Sequence, residues 1–349
     1  MDNFHTNIYN WYHINKRDLP WRKDRDPYKI WLSEIILQQT RVEQGKNYFY
    51  RFVEAYPTVN DLASAHEDEV LKHWQGLGYY SRARNLHASA KIIASQYNGT
   101  FPNDYKNILA LKGVGPYTAA AIASIAFNLP FPAVDGNIYR VLSRYYGIVT
   151  PIDSSAGKKE FQQLAEELIQ EQDSGMHNQA LMEFGALQCV PKSPKCENCP
   201  LVDSCFAFKK GLVSQLPVKE KKTKQRHRYF YYYIYDMGDS ILLDKRSGND
   251  IWQNLYQLPL MEYEKALSDS ELLKASPPVK SSQLNIKYIS GQKKHVLSHQ
   301  IIHAKLIYLE VQGNFNNPSP LIRVNKKDIS KFAVSRLVEQ FLHEAGLGL

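Results

Sequence analysis

The chain has 349 residues, with 43 Lys and Arg against 35 Asp and Glu, a formal net charge of +8 at pH 7. That length accommodates two domains, and the basic excess suits an anionic partner. No stretch approaches the roughly 20 apolar residues that span a bilayer, and residues 1–11 lack the apolar core of a secretory signal, so membrane and secreted classes are set aside and a cytoplasmic, nucleoid-associated protein is expected.

Residues 1–215 carry apolar side chains at helical spacing, as in Val70, Leu71, Trp74 and Leu77 or Leu164, Leu168 and Ile169, and predict an all-helical domain. Within residues 30–41, Glu34 shares a helix face with Ile30, Trp31 and Leu37, at the i−4, i−3 and i+3 positions. A carboxyl held among apolar neighbours keeps its proton and can serve as a general acid. The plainer alternative is a buried structural glutamate paired with an arginine. Farther on, the glycines of Gly76-Leu77-Gly78-Tyr79 leave a loop rather than a packed helix, which presents Tyr79.

Leu111-Lys112-Gly113-Val114-Gly115-Pro116-Tyr117 predicts a helix-hairpin-helix over about residues 108–127. Gly113 and Gly115 let backbone N–H groups grip a phosphate without reading sequence, with Pro116 in the first turn of the next helix and Ile122 and Ile125 inward. A turn whose glycines serve packing explains the same pattern. Asp135, before a helix over residues 138–145, caps that helix on the simplest view. The chain's four cysteines, Cys189, Cys196, Cys199 and Cys205, follow as C-x6-C-x2-C-x5-C. Four thiolates, no histidine inside the run and long outer gaps favour a cubane iron–sulfur cluster over zinc. Without a secretory signal, two disulfides are disfavoured.

Residues 216–228, with Lys219, Lys221, Lys222, Lys224, Arg226 and Arg228, read as an exposed basic linker. Beyond it, residues 229–235, 241–243 and 303–311 have the β-branched and aromatic content of strands and residues 335–342 look helical, so residues 229–349 predict an α+β domain.

The hairpin, the aspartate 20 residues beyond Gly115 and the later cysteines resemble the helix-hairpin-helix DNA glycosylases that carry a Gly/Pro-rich loop and aspartate. In bifunctional members a nucleophilic lysine stands second after the hairpin; here that position is Tyr117, which implies a monofunctional enzyme that uses water. Leu19-Pro20-Trp21-Arg22, Glu34 followed by Gln38-Gln39, and Gly76-Leu77-Gly78-Tyr79-Tyr80-Ser81-Arg82 narrow the resemblance to the MutY-type adenine DNA glycosylases, over nearly the whole chain.

That resemblance implies a helical catalytic domain with a [4Fe-4S] cluster on residues 189–205, then a Nudix-like α+β domain. It implies a monomer acting on double-stranded DNA with adenine opposite 8-oxoguanine or guanine. Glu34 is then the acid that protonates adenine N7, and Asp135, ionised in a more polar setting, stabilises the oxocarbenium-like sugar. Tyr117 and Asn137 match positions that support the sugar and orient the carboxylates. Leu19, Trp21, Arg22 and Gln179 match the pocket for the flipped adenine; Gln39 with Gln38, and Tyr79, match wedges beside 8-oxoguanine. Lys192 and Lys195 are expected to face phosphates. In the second domain, residues 251–259 resemble a Trp-x-x-Leu-x-x-x-Pro strand, and no Nudix box follows, so pyrophosphohydrolysis is not expected. Residues 295–299 resemble the family's Phe-Ser-His loop that contacts 8-oxoguanine, with Ser298 and His299 in place but Leu297 where an aromatic is usual. The alternatives are a glycosylase for thymine opposite guanine and a binding-only relative, the latter opposed by intact Glu34, Asp135 and Tyr117.

Overall fold

The structure is a computed structural model that describes residues 3–220, 225–279, 284–313, 315 and 318–348. It divides into two units, Met1–Ser64 with Asn85–Lys221 and Ala65–Arg84 with Lys222–Leu349. The break at residue 221 is near the expected one, but residues 65–84, expected in the helical domain, belong to the second unit. The physical reason is a set of polar side chains there that bond to the α+β domain.

The helices run in chain order as α1 Phe4–Asn15, α2 Pro27–Leu37, α3 Val42–Ala55, α4 Val59–Ser64, α5 Glu67–Trp74 and α6 Ser81–Gln96. They continue as α7 Tyr105–Leu109, α8 Pro116–Phe127, α9 Gly136–Tyr146, α10 Ser155–Leu168, α11 Ser174–Leu187 and α12 Phe206–Lys209. In the first unit, α8 is buried on all sides from Thr118 to Ile125. Its run of Ala and Ser side chains is small enough for α2, α7 and α11 to pack against it. Pro116 opens α8 at its first position, and Asp26 caps α2 by accepting from Tyr28 N. Leu77, grouped by its spacing with a helix, lies in the turn beyond α5. Among the described residues no helix is long and apolar enough to cross a membrane.

The second unit holds strands β1 Arg226–Asp236, β2 Ser240–Lys245, β3 Tyr256–Gln257 and β4 Leu260–Tyr263, helix α13 Asp269–Lys274, strands β5 Leu284–Ile289, β6 Lys293–Val296, β7 Gln300–Val311 and β8 Ile322–Asn325, and helix α14 Arg336–Glu344. One sheet has the order β4-β1-β7-β5, with β6 also on β7; the other is β3-β2-β8. β1 and β7 are parallel, and the remaining pairs are antiparallel. β1 is buried on both faces, which explains its nearly unbroken aromatic run: Phe230, Tyr232 and Ile234 join the core under α14, while Tyr231, Tyr233 and Tyr235 join the core on the other face.

Within the exposed linker expected over residues 216–228, Lys219, Glu220, Gln225, Arg226 and His227 are exposed, whereas Leu216 and Arg228 are not. Leu216 is buried and its carbonyl accepts from Arg144 Nε. Arg228 is a buried residue of β1, paired with Asp250 and Glu262 at 2.7 Å each. Its burial is permitted by those two carboxylates, which lie 22 and 34 residues away and are invisible in the local charge pattern. Lys221, Lys222 and Lys224 lie outside the described residues.

Candidate active site

The first unit carries a cleft of about 900 Å³ lined by Leu19, Trp21, Arg22, Glu34, Gln38, Gln39, Tyr117, Asp135, Asn137 and Gln179. Ten residues singled out in the sequence are thus brought together from the 19–22 turn, α2 and the residues just after it, α8, the start of α9 with its cap, and α11. Gly113, Gly115 and the cysteines lie outside that lining. Glu34 reaches the cleft beside Ile30 and Leu37, as its helix face predicts. Trp31 does not: it is fully buried against Tyr28 and Phe101, because its direction on the helix takes it into the core.

Burial pushes the Glu34 carboxyl up to about 7; a hydrogen bond from Tyr117 opposes this and the nearby Asp135 adds to it. Asp135 caps α9, its Oδ1 accepting from Asn137 N (2.9 Å) and Ile138 N (2.8 Å) and its Oδ2 from Asn137 Nδ2 (2.7 Å). Burial raises Asp135 too, and these donors work against it. Asp135 is thus buried rather than in the more polar setting expected, with helix-end donors offsetting only part of that burial, and its capping position also faces the cleft. Burial and the two carboxyls lift the Tyr117 hydroxyl well above its ordinary value, leaving it a donor, and it also reaches Met182 Sδ at 3.3 Å.

Three cleft residues went unnoticed in the sequence. Glu183 is buried and receives Arg17 Nε at 2.7 Å and Arg22 Nη2 at 2.9 Å. Burial alone would raise its pKa, but the two arginines outweigh that and hold it at about 2. Glu183 stands four residues after Gln179, one turn along the same face, which is the signal that would have found it. Arg22 Nη1 is buried with no hydrogen-bond partner among the described residues, the mark of a donor awaiting a ligand. Arg140, one turn past Asn137, donates from Nη2 to Asn137 Oδ1 (2.8 Å) and Gly185 O (2.6 Å), and from Nε to Cys189 O (2.6 Å).

All four cysteines line a second, largely apolar pocket with Val141, Phe184 and Leu201, and none of them is in a disulfide. Arg144 sets a guanidinium nitrogen 3.4 Å from Cys189 Sγ and holds the loop through Val190 O and Pro191 O. Among the described residues no group of three or more acidic, His or Cys side chains converges on a single metal ion. Thiols spread around a shared pocket, beside a cation that offsets thiolate charge, fit a polynuclear centre better than one zinc.

Comparison with known proteins agrees with this geometry. Residues 32–171 match the model of the HhH-GPD superfamily of base excision DNA repair proteins, residues 189–205 the iron–sulfur binding domain of endonuclease III, and residues 230–344 a NUDIX domain. An adenine DNA glycosylase of Buchnera aphidicola subsp. Schizaphis graminum is 35% identical over 318 residues, covering 89% of each chain. The chain belongs to the adenine DNA glycosylases. The corresponding protein of Buchnera aphidicola subsp. Baizongia pistaciae is 36% identical over 92% of this chain and 91% of its own. Among solved structures, a thermostable thymine-DNA glycosylase aligns with a TM-score of 0.55 at 34% identity, covering 59% of this chain and 95% of that one. As a family member the protein is a DNA N-glycosylase of base excision repair that binds DNA, with a Nudix-like second domain and a [4Fe-4S] cluster for which Cys189, Cys196, Cys199 and Cys205 are the ligands present. These four residues would hold the cluster on a loop that α9 grips through Arg140 and Arg144.

The second unit holds the remaining sequence candidates. Tyr79 is 51% exposed and adopts φ 47°, and its hydroxyl shares a hydrogen bond of 2.5 Å with Ser298 Oγ. Gln39 in the first unit has the same left-handed backbone, φ 57°, and is exposed. Ser298 and His299 are exposed, whereas Leu297 packs against the β-sheet core. Leu297 therefore anchors the loop where an aromatic was expected to project. Lys192 and Lys195 are both exposed.

Proposed function

We propose that this protein excises adenine paired with 8-oxoguanine, or with guanine, from duplex DNA by a monofunctional mechanism. The observation that carries this reading is the pair of carboxyls in one cleft, Glu34 raised to about 7 and Asp135 held by three hydrogen bonds. Near neutrality a protonated Glu34 donates to adenine N7, and the C1′–N9 electron pair leaves with the base. Ionised Asp135 stabilises the cationic sugar, directly or as a short-lived adduct. A water then adds at C1′ and its proton returns to Glu34. Tyr117 occupies the position of a lysine nucleophile, so no amine is supplied for strand scission, and it instead orients Glu34 as a donor. Arg22, with its free Nη1, joins Leu19, Trp21 and Gln179 in holding the flipped base.

Gln39 with Gln38 and Tyr79 fill the duplex where the base has left. The left-handed backbones of Gln39 and Tyr79, uncommon for such side chains, support an inserting role. Ser298 and His299 contact 8-oxoguanine. Gly113 and Gly115 grip a backbone phosphate, with Lys192 and Lys195 on others. The protein works as a monomer, which sedimentation would check.

The test is single-turnover cleavage of duplexes with adenine opposite 8-oxoguanine, adenine opposite guanine and thymine opposite guanine, scored before and after alkali. Breaks in the adenine strand only after alkali are expected. Breaks without alkali would refute the Tyr117 reading; activity confined to thymine would replace the substrate with that of the thymine-DNA glycosylase to which the helical domain is similar.

A further inference from the structure

The second unit contains a feature that base excision as described above leaves unused. Its 251–256 loop has two non-glycine residues with left-handed backbone, Trp252 at φ 60° and Asn254 at φ 66°. They flank Gln253, whose carbonyl accepts from Arg84 Nη1 at 2.9 Å. Asn254 Nδ2 donates to Glu67 Oε1 at 2.5 Å, and Lys245 Nζ and Tyr256 OH donate to the two oxygens of Asp68 at 2.6 and 3.0 Å. Glu67 and Asp68 form the first turn of α5. Tyr79 follows a few residues later, and Arg84 lies in α6 just past it. The segment bearing Tyr79 is therefore held at both ends by one loop, and between them by Ser298 at Tyr79 and by Phe332, Val334 and Glu339 at Lys72, Gln75 and Tyr80. Exposed ion pairs contribute little singly, but a strained backbone persists only where its surroundings over-determine it. For Asn254 and the neighbouring Gln253 those surroundings include the α5 and α6 side chains, while Trp252 rests on Phe230 and His295 of the sheet.

We propose that the 251–256 loop is a clamp that positions Tyr79, so that the Glu67–Asn254 pair sets how strongly adenine release depends on 8-oxoguanine in the opposite strand. Asn254 and Glu67 are positioning residues, and the inference rests on Tyr79 and Ser298 being the 8-oxoguanine contacts. α6 begins in this unit and continues into the other, where Ser89 Oγ donates to Lys112 O of the hairpin at 3.0 Å.

The experiment compares single-turnover adenine release from adenine:8-oxoguanine and adenine:guanine duplexes by full-length wild type, Asn254→Asp and the Asn254→Asp/Glu67→Gln double variant, with melting temperatures alongside. Aspartate tolerates the left-handed backbone but sets two carboxylates against each other; the added Glu67→Gln change restores a donor to the pair. Asn254→Asp is expected to lower the 8-oxoguanine preference about tenfold, a usual size for coupling between sites, with the guanine rate kept and the preference recovered in the double variant. Loss of both rates together, or an unchanged preference, overturns the clamp. Should Asn254→Asp not fold, Lys245→Met removes one exposed contact and is expected to shift the preference the same way by less; no shift overturns the proposal. A wild type without preference, or a Tyr79→Ala variant that keeps it, would instead remove the underlying assignment of the 8-oxoguanine contacts.

Discussion

Glu34 and Glu183 sit in the same cleft and are pushed in opposite directions. Glu34 has an ordinary value of 4.5 and a folded value of about 7, so between these pH values the folded state holds the extra proton. Its stabilising contribution is complete below about pH 4.5 and is lost as pH rises through 7. Adenine release limited by a protonated Glu34 is expected to fall on the same rise. Glu34→Gln should lower the single-turnover rate by about 10²–10⁴-fold and abolish the alkaline limb, while melting above wild type at pH 8. A rate that keeps climbing past pH 8 in wild type would remove Glu34 as the acid. Glu183 is the reverse case, moved from 4.5 to about 2 by Arg17 and Arg22. Its contribution is present above pH 4.5 and is lost as pH falls toward 2. Glu183→Gln leaves two cationic side chains facing each other, and a loss of about 3–5 kcal/mol is expected in urea unfolding.

The hairpin before α8 shows two glycines with different work. Gly113 has φ +77°, and a β-carbon there would stand 2.7 Å from Asn85 Cβ, so the turn itself demands glycine. Gly115 has φ −92° and nothing within 4 Å of a β-carbon, so the fold does not require it. Gly113→Ala is expected to lower the melting temperature and DNA affinity together. Gly115→Ala should leave melting unchanged and weaken duplex binding, read by fluorescence anisotropy, if its exposed backbone lies against a phosphate. Equal affinity for Gly115→Ala and wild type would place the phosphate elsewhere. α9 is likewise two devices in one. Its capping aspartate faces the cleft, and Arg140 and Arg144 on later turns hold the loop of cluster ligands, so the loop and Asp135 share one rigid support.

Across the molecule, the net charge of +8 is the widest-reaching property. Binding that neutralises phosphates releases counterions, so affinity for an undamaged duplex is expected to fall linearly with salt on logarithmic axes. A titration from about 50 to 200 mM salt that left affinity unchanged would show that the excess is solvated surface charge. The division into units matters as much. Residues 65–84 belong with the β-sheet domain, so the exposed Tyr79 and the exposed Ser298 are carried by one body. If both contact the strand opposite the excised base, as proposed, they need no separate alignment, because they are built on one support.

Features governed by a few neighbouring residues were legible in the order of amino acids. The face that carries Glu34, the helix cap at Asp135, the hairpin glycines, the cysteine run and the strands at residues 229–235 and 303–311 all follow from periodicity, side-chain chemistry and backbone sterics over short spans. What stayed hidden joins distant parts of the chain. Glu183 meets Arg17 across 166 residues, Arg140 meets Cys189 across 49, and Asn254 meets Glu67 across 187. Arg228 had the appearance of linker charge until its two carboxylates were in place, and Leu297 occupies an aromatic's position but packs inward. A charge is buried, and a side chain turned in or out, according to the partners that folding delivers, and no local pattern specifies those partners.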